Sequence, residues 1–284
     1  MNNKYPLVSV IMPAYNAEKY IGEAIESILN QTFKDFEFII LDDCSTDKTW
    51  EIIQDYAKKD ERIIAVRNEK NLNIALNRNK GVEMSKGKYI VWADADDISK
   101  PERIEKLVNY MESHPEVGIC GSNFQSFSGN KLMDTREFFE EDNLLRKNIF
   151  KFSPVAQPTA IVRRECFNKV GKYNPSYPPA EDIDFSFRVG EFFKFGNIPE
   201  VLLMYREHPN SATYTRTRKQ IASTLEVRSK YLKSDFYNPN LLDYIAYGTT
   251  WIFQFLPSKF VISSFKLIRK VILFFVNPKV RNSL

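Results

Sequence analysis

Residues Lys88–Pro101 read KYIVWADADDISKP, and the stretch changes character halfway along. Tyr89-Ile90-Val91-Trp92-Ala93 is a short apolar run of the kind that forms a buried strand. Three carboxylates follow within four residues, Asp94, Asp96 and Asp97, and then a helix-like stretch begins. Carboxylates this close repel one another and lose hydration on burial, so they keep their charge only beside a cation or in water. A strand that ends by aiming aspartates at a cleft predicts a site for a hard divalent metal, often one carrying phosphates.

The chain before this stretch repeats one pattern. Leu7–Met12 reads as a strand stopped by Pro13, and a helix is expected over about Ala17–Gln31, with Ile21, Ala24, Ile25, Ile28 and Leu29 at helical spacing. Phe36–Leu41 is the next strand. It ends in Asp42-Asp43, and Cys44–Asp47 makes a turn that caps a helix over about Lys48–Lys59. Ile63–Val66 is a third strand, and Leu72–Ser85 a further helix. Strand and helix alternating without tight hairpins predict an α/β, doubly wound, mostly parallel sheet with helices on both faces. Ligands of such sheets bind beyond the carboxyl ends of the strands. Pro13–Asn16, Asp42-Asp43 and Asp94–Asp97 would therefore face one crevice. There is no GxGxxG and no GxxxxGK[ST], which disfavours the dinucleotide fold and the P-loop.

Bulk composition narrows the class without naming it. With 284 residues, 43% apolar and 27% charged, the chain reads as a soluble globular protein of one large domain or two modest lobes. A net charge of +4 is too mild to argue for nucleic acid. Cys44, Cys120 and Cys166 are odd in number and lack CxxC spacing, so neither a disulfide framework nor a structural zinc is indicated. The apolar run near the N-terminus is too short for a secretory signal, and no run reaches transmembrane length. The expectation is a cytoplasmic protein.

The second half differs in texture. Ile104–Ser113 is expected as a helix and Val117–Gly121 as a short strand. The stretch 122–149 is mixed, and Pro154–Val162 and Val170–Pro179 read as proline-punctuated loops. Glu181–Asp184 should open a helix reaching about Phe195, and Val201–Tyr205 reads as a strand leading to Arg206-Glu207-His208. A basic helix is expected over Thr215–Lys233, followed by apolar Leu241–Leu256. Residues 259–276 place Lys266, Arg269 and Lys270 on one arc, with Phe260, Leu267, Val271, Phe274 and Phe275 elsewhere. That pattern fits a helix lying on anionic membrane, or one docking its apolar side on the protein.

Each constellation has a plainer reading beside the chemical one. Glu105 stands twelfth from Asp94, as in a calcium loop, but Ile98 replaces a ligand and Ser99 the turn glycine. Asp97 or Ser99 is expected to cap the following helix, which leaves Asp94 and Asp96 as the metal and nucleotide pair. Aspartates before a turn are common, so Asp42-Asp43 gains weight only from sharing the crevice, where Tyr15 offers a stacking face. Arg78 is either a surface helix residue or a phosphate or base contact. Glu181 and Asp182 could merely complement a helix dipole, or could supply a general base on the side away from the nucleotide half. Of the two histidines, His114 reads as an exposed cap, and His208 as a metal ligand or a structural residue.

The segments VSVIMPAYNAEKYIGEAIESILNQTF, FIILDDCSTDKTWEI, ADADDISKPERIEKL, AEDIDFSFRV and LLMYREHPNSAT resemble the successive signatures of family 2 glycosyltransferases, in order, over roughly Leu7–Thr213. The resemblance implies a GT-A fold over residues 1–213, with a nucleotide-sugar half to about residue 105 and an acceptor half over 106–213; the helical region expected over 214–284 lies outside the match. It implies an inverting transfer of a sugar from a nucleotide-sugar, a UDP-sugar by expectation, to a hydroxyl of a glycan or lipid-linked saccharide in surface polysaccharide synthesis. Pro13 and Tyr15 would line the nucleoside pocket and Asp43 would bond the uracil. Asp94 would contact ribose or metal, and Asp96 would ligate Mn2+ or Mg2+. Asp182 would be the catalytic base with Glu181 positioning the acceptor, and His208 would be a further metal ligand. On this reading the enzyme works in the cytoplasm, at the inner face of the cell membrane if residues 259–276 bind lipid.

Two positions depart from the family pattern. Cys44 stands where glycine is usual, and Gln157 where a histidine often precedes Pro-Thr. The QxxRW motif of processive synthases is absent, which favours single transfers. The rival readings are a nucleotidyltransferase making nucleotide-sugars, which should have a glycine-rich basic N-terminal loop, and a catalytically silent sugar- or nucleotide-binding module.

Overall fold

A computed structural model describes residues 5–209, 217–257, 260, 261, 263, 264, 267 and 268. The chain divides into two compact units, Met1–Glu207 and His208–Leu284.

The first unit begins with β1 (Val8–Ala14), α1 (Ile21–Leu29), β2 (Phe36–Asp42), α2 (Thr49–Ala57), β3 (Ile63–Arg67), α3 (Asn73–Met84) and β4 (Tyr89–Trp92). Beyond the acidic loop come β5 (Ile98–Ser99), α4 (Arg103–Ser113), β6 (Val117–Ser128), β7 (Lys131–Arg136) and α5 (Asp142–Lys147). A 3-10 turn at Gln157–Thr159 leads into β8 (Ile161–Arg163), α6 (Arg164–Val170), α7 (Glu181–Gly190) and β9 (Lys194–Arg206). The nine strands form one sheet in the order β3-β2-β1-β4-β8-β6-β9-β5, with β7 on the flank of β6.

The parallel β3-β2-β1-β4 portion is the expected doubly wound sheet. All seven residues of β2 are buried, as a strand covered on both faces must be, and the one charge inside it, Glu37, accepts from the Ser9 hydroxyl. On α1, the spaced residues Ile21, Ala24, Ile25 and Ile28 are the buried ones. The register sets the crevice: Ala14 pairs with Asp42, Asp42 with Arg67, and Ile11 with Trp92. All three polar strand ends therefore open at one edge. Strand order also reverses there, since β2 lies on one side of β1 and β4 on the other.

The later half corrects several expectations. The short strand at residue 117 runs on to Ser128, because it pairs parallel with β9 from Lys194 to Arg206, with register shifts along the way. The helix opening at Glu181 stops at Gly190, not Phe195, because Lys194 already begins the 13-residue β9. Part of the proline-punctuated loop is a strand, β8, which pairs antiparallel with β4 and β6 and joins the two halves of the sheet. Neither Asp97 nor Ser99 caps α4, which has no side-chain cap. Ser99 instead lies in β5, and Asp97 faces elsewhere. The first helix starts at Ile21, after a turn over residues 18–20.

The second unit contains α8 (Thr217–Tyr231) and α9 (Leu241–Phe253). Ile221, Leu225 and Val261 form its small core, with Tyr247, Phe253 and Leu256 packed against them. Asn240 and Asp243 make a reciprocal capping box at the start of α9. Of the helix expected over 259–276, Lys266, Arg269, Lys270 and everything beyond lie outside the described residues. Among the described residues no helix is long and apolar enough to cross a membrane.

Close approach of the α3–β4 turn to β1 gives a test of the fold. A Cβ on Gly87 would stand 2.5 Å from the Ser9 nitrogen and 2.6 Å from the Val8 carbonyl carbon, backbone atoms that cannot swing aside. At Gly22 the nearest atom would be the Tyr56 hydroxyl, at 3.6 Å. Gly87→Ala should therefore lower unfolding free energy by about 2 kcal/mol. Gly22→Ala, within α1, should raise it by about 1 kcal/mol. Urea denaturation of the two variants checks both signs.

Candidate active site

The crevice is bounded by loops that lock one another. Asn16 donates its backbone N–H to the Ser45 hydroxyl (2.9 Å), and its side-chain oxygen accepts from the Thr46 N–H (2.9 Å). Cys44 sits between them with φ of 65°, the left-handed region where glycine costs least, so the departure from the family pattern falls on a position where backbone geometry matters. The two aspartates ending β2 have different surroundings. Asp42 is fully buried, 3.2 Å from the Arg67 Nε. Asp43 accepts from the Asn68 side chain (2.8 Å) and from the backbone N–H groups of Leu72 (2.8 Å) and Asn73 (3.1 Å), which fixes the start of α3. A carboxylate has about four acceptor positions, so these three bonds leave room for another donor. Tyr15 is half exposed beside this loop, and Pro13 is partly buried.

The polar residues Asn77, Arg78 and Asn79 of α3 are all buried, an arrangement that periodicity does not announce. Asn79 exchanges two hydrogen bonds with the backbone of Tyr173 (2.8 and 2.9 Å) and so ties α3 to the loop before α7. Arg78 is not a surface residue. Its Nη1 donates to Glu181 Oε1 at 2.7 Å, and its Nη2 lies 3.9 Å from Asp94. Its guanidinium lies over the rings of Trp92 (5.5 Å) and Tyr173 (6.0 Å). One cation thus spans from the acidic loop after β4 to the first turn of α7.

Glu181 is 2% exposed; one oxygen is held by Arg78, and the other, Oε2, is buried without a hydrogen bond. Asp182, next to it, is only partly buried, and its Oδ1 accepts from the Ile183 N–H at 2.9 Å. Loss of hydration, followed by the neighbouring Glu181 charge, pushes the Asp182 carboxyl up to about 7, against the pull of Arg78. A carboxylate poised near neutrality can take a proton from a hydroxyl and release it again.

Asp94, Asp96 and Asp97 bring one oxygen each within 4.8 Å of one another. Burial first, and the other aspartates second, hold Asp97 well above the usual carboxylate range, while burial raises Asp94 to about 6 against Arg78. Asp97 Oδ1 accepts from the Arg206 N–H (2.8 Å), and its Oδ2 is buried with no partner. The group fits a hard divalent cation. All its donors are oxygen, an orphaned carboxylate oxygen is among them, and two oxygens across a Mg2+ stand about 4.2 Å apart, within reach of small rotations. Asp97 thus belongs with this group, a place the helix-cap reading missed. His208 opens the second unit and is partly buried.

Two arginines that the sequence reading passed over fix this loop. Arg103 is fully buried and donates to Ser99 Oγ (2.8 Å), Trp92 O (2.7 Å) and Pro158 O (2.7 Å), clamping β4, β5 and the 3-10 turn. Gln157 in that turn donates to the Tyr173 hydroxyl (3.0 Å). Arg206, the last residue of β9, donates Nε to Asp96 O (2.8 Å) and Nη2 to Glu23 (2.6 Å). Its guanidinium lies 4.7 Å from the Tyr20 ring and 4.5 Å from the Phe127 ring. Only their positions in helix and strand were visible beforehand; the partners lie far away in sequence.

The family model "Glycosyl transferase family 2" matches residues 9–171. The chain belongs to the family 2 glycosyltransferases. An uncharacterized glycosyltransferase of Methanocaldococcus jannaschii is 42% identical over 221 residues, 76% of either chain. UDP-Glc:alpha-D-GlcNAc-diphosphoundecaprenol beta-1,3-glucosyltransferase WfaP of Escherichia coli is 30% identical over 231 residues, 80% of this chain and 88% of WfaP. Among solved structures, the mannosyltransferase PcManGT from Pyrobaculum calidifontis, in complex with GDP-Man and Mn2+, superposes with a TM-score of 0.63. That comparison covers 97% of this chain and 77% of PcManGT at 17% identity, a likeness of fold. The mixed α/β sheet with its helices is the GT-A fold.

Two substitutions test the clamps. Arg78→Met leaves Glu181 buried without a counter-charge and should cost about 3 kcal/mol of stability. Adding Glu181→Gln should recover more than half of that loss, a coupling that urea titration of the double-mutant cycle measures. Arg206→Lys keeps the positive charge but gives up the Nε bond to Asp96. Mn2+ affinity, read by metal-dependent thermal shift, should fall about tenfold, the equivalent of one charge-assisted hydrogen bond, with the metal-free midpoint little changed.

Proposed function

We propose that the protein is an inverting, divalent-metal-dependent glycosyltransferase that moves a sugar from a UDP-sugar to a hydroxyl of a lipid-linked saccharide or glycan during surface polysaccharide synthesis. The observation that carries this reading is the different surroundings of two adjacent acids, with Glu181 fixed on buried Arg78 and Asp182, only partly buried, poised near neutrality. WfaP, whose name specifies a UDP-glucose donor and a diphosphoundecaprenol acceptor, supports the donor and acceptor classes. The Mn2+ of PcManGT supports a metal.

In this mechanism Asp182 accepts the proton of the acceptor hydroxyl as that oxygen attacks the anomeric carbon. The bond from that carbon to the diphosphate breaks on the opposite face, its electron pair leaves with the diphosphate, and the configuration inverts. Asp94 and Asp96, joined by Asp97, would hold Mn2+ or Mg2+, which supplies positive charge for the diphosphate oxygens. Tyr15 and Pro13 line the nucleoside site, and the remaining acceptor capacity of Asp43 takes a base N–H. Arg78 fixes Glu181 and so sets the direction of the first turn of α7, from which Asp182 reaches the acceptor. Glu181 positions the acceptor through that turn. Work at the inner face of the cell membrane follows from a lipid-linked acceptor.

The pH dependence follows from the base role. A carboxyl that titrates at about 7 is inactive when protonated, so transfer at saturating donor should rise with pH through about 7 and fall about tenfold per unit below it. Asp182→Asn should remove that limb and lower the rate by about a thousandfold, while UDP affinity, measured by calorimetry, stays within about twofold. Transfer by Asp182→Asn at the native rate would overturn the assignment. Release of UDP from a panel of UDP-sugars with Mn2+ tests the donor class.

A further inference from the structure

The polarity of α9 is turned inside out. At 100° per residue, Leu241, Tyr244, Ile245, Trp251 and Ile252 fall on one half of the helix, together with Phe255 just beyond it, and each is at least half exposed. The opposite side carries Asp243 and Thr250, and these two polar residues are the buried ones. Asp243 is the only charged residue of α9, so the exposed arc has no charge at all. Leu241 and Phe255, at 75% and 65% exposure, bound a contiguous apolar face of the kind that marks a contact surface.

Charge decides what covers that face. From His208 onward the chain has twelve lysines and arginines against Glu226, Asp235 and Asp243, a net +9 in a chain whose total is +4. A second copy of this unit would bring the same positive charge and be repelled. An anionic surface would be attracted by the basic residues while taking up the uncharged apolar arc. Thirteen helical residues span about 20 Å, short of the roughly 30 Å of a bilayer core, so this helix lies along a membrane rather than across it. Trp251 and Tyr244 are the residue types that favour the headgroup level.

We propose that the exposed face of α9 docks on the surface of an anionic lipid bilayer, with the basic residues of the second unit supplying the electrostatic attraction. This assigns a membrane contact to α9, separate from the one expected of residues 259–276, and it does not rest on the proposed chemistry.

The test is sedimentation of the full chain with vesicles of phosphatidylglycerol and phosphatidylcholine, against vesicles of phosphatidylcholine alone, at low and high salt. The native chain is expected to partition onto the anionic vesicles, to be released by salt, and to shift Trp fluorescence to shorter wavelength. Ile245→Glu with Ile252→Glu, on exposed positions, should reduce partitioning about tenfold or more and leave the thermal midpoint in place. Lys230→Glu with Lys233→Glu should weaken binding only at low salt. Equal binding by the Ile245→Glu, Ile252→Glu variant, or no binding by the native chain, overturns the proposal. So does a native dimer that this variant splits without any vesicle binding, which would make a second copy the occupant. Metal-dependent release of UDP by the same variant in solution is expected at the native rate, so failure of the catalytic reading would register separately.

Discussion

Arg78 stands where two groups of carboxylates converge, and the active edge of the sheet depends on it. Asp94 approaches from the loop after β4 and Glu181 from the start of α7, 103 residues beyond Arg78 in sequence. Without a cation between them, buried Glu181 and partly buried Asp94 would have to take up protons or swing into water. The arginine is itself held by ring faces on Trp92 and Tyr173. Tyr173 is in turn fixed by Asn79, one residue from Arg78 on the same helix. The loop after β4, the loop before α7 and α7 itself therefore share one small polar core, built on the buried Arg78 and Asn79 of α3.

The sequence could be read for the parallel half because burial there is periodic and local. β1 and β2 are mostly apolar runs, broken only by Ser9 and Glu37 before their ends, α1 repeats its apolar residues every three or four positions, and each strand ends in a polar signature. β8 was harder to see, since three buried residues between a 3-10 turn and a helix carry no alternation. The length of β9 was hidden for a related reason: Gly196, Asn197 and Pro199 interrupt its apolar pattern, yet its pairing with β6 carries the chain through them. Tertiary pairing overrides propensity in both places.

The site was legible in its residue types but not in its partners. Aspartates in a cluster at a strand end signal a cation from composition alone, and Asp94 and Asp96 were found that way. Asp97 looked like a helix cap because caps are local and common. Its actual donor, the backbone N–H of Arg206, lies 109 residues further on. Arg103 and Arg206 were missed for the same reason: nothing in a helix start or a strand end says that its guanidinium will reach an acidic loop. Asp42 and Asp43 are indistinguishable in sequence. Alternation in β2 turns one inward to Arg67 and leaves the other at the mouth of the crevice.

That separation of neighbours recurs at Glu181 and Asp182, where it bears on chemistry. Both belong to the first turn of α7, where helix N–H groups favour negative charge. Here Arg78 takes Glu181 as its partner, and Glu181 in turn repels charge on the carboxyl beside it. The arginine also pulls on Asp182, but more weakly than burial and Glu181 push. An arginine nearer to Asp182 would have held it as a permanent anion. By committing to Glu181, Arg78 leaves the second acid balanced between its two protonation states.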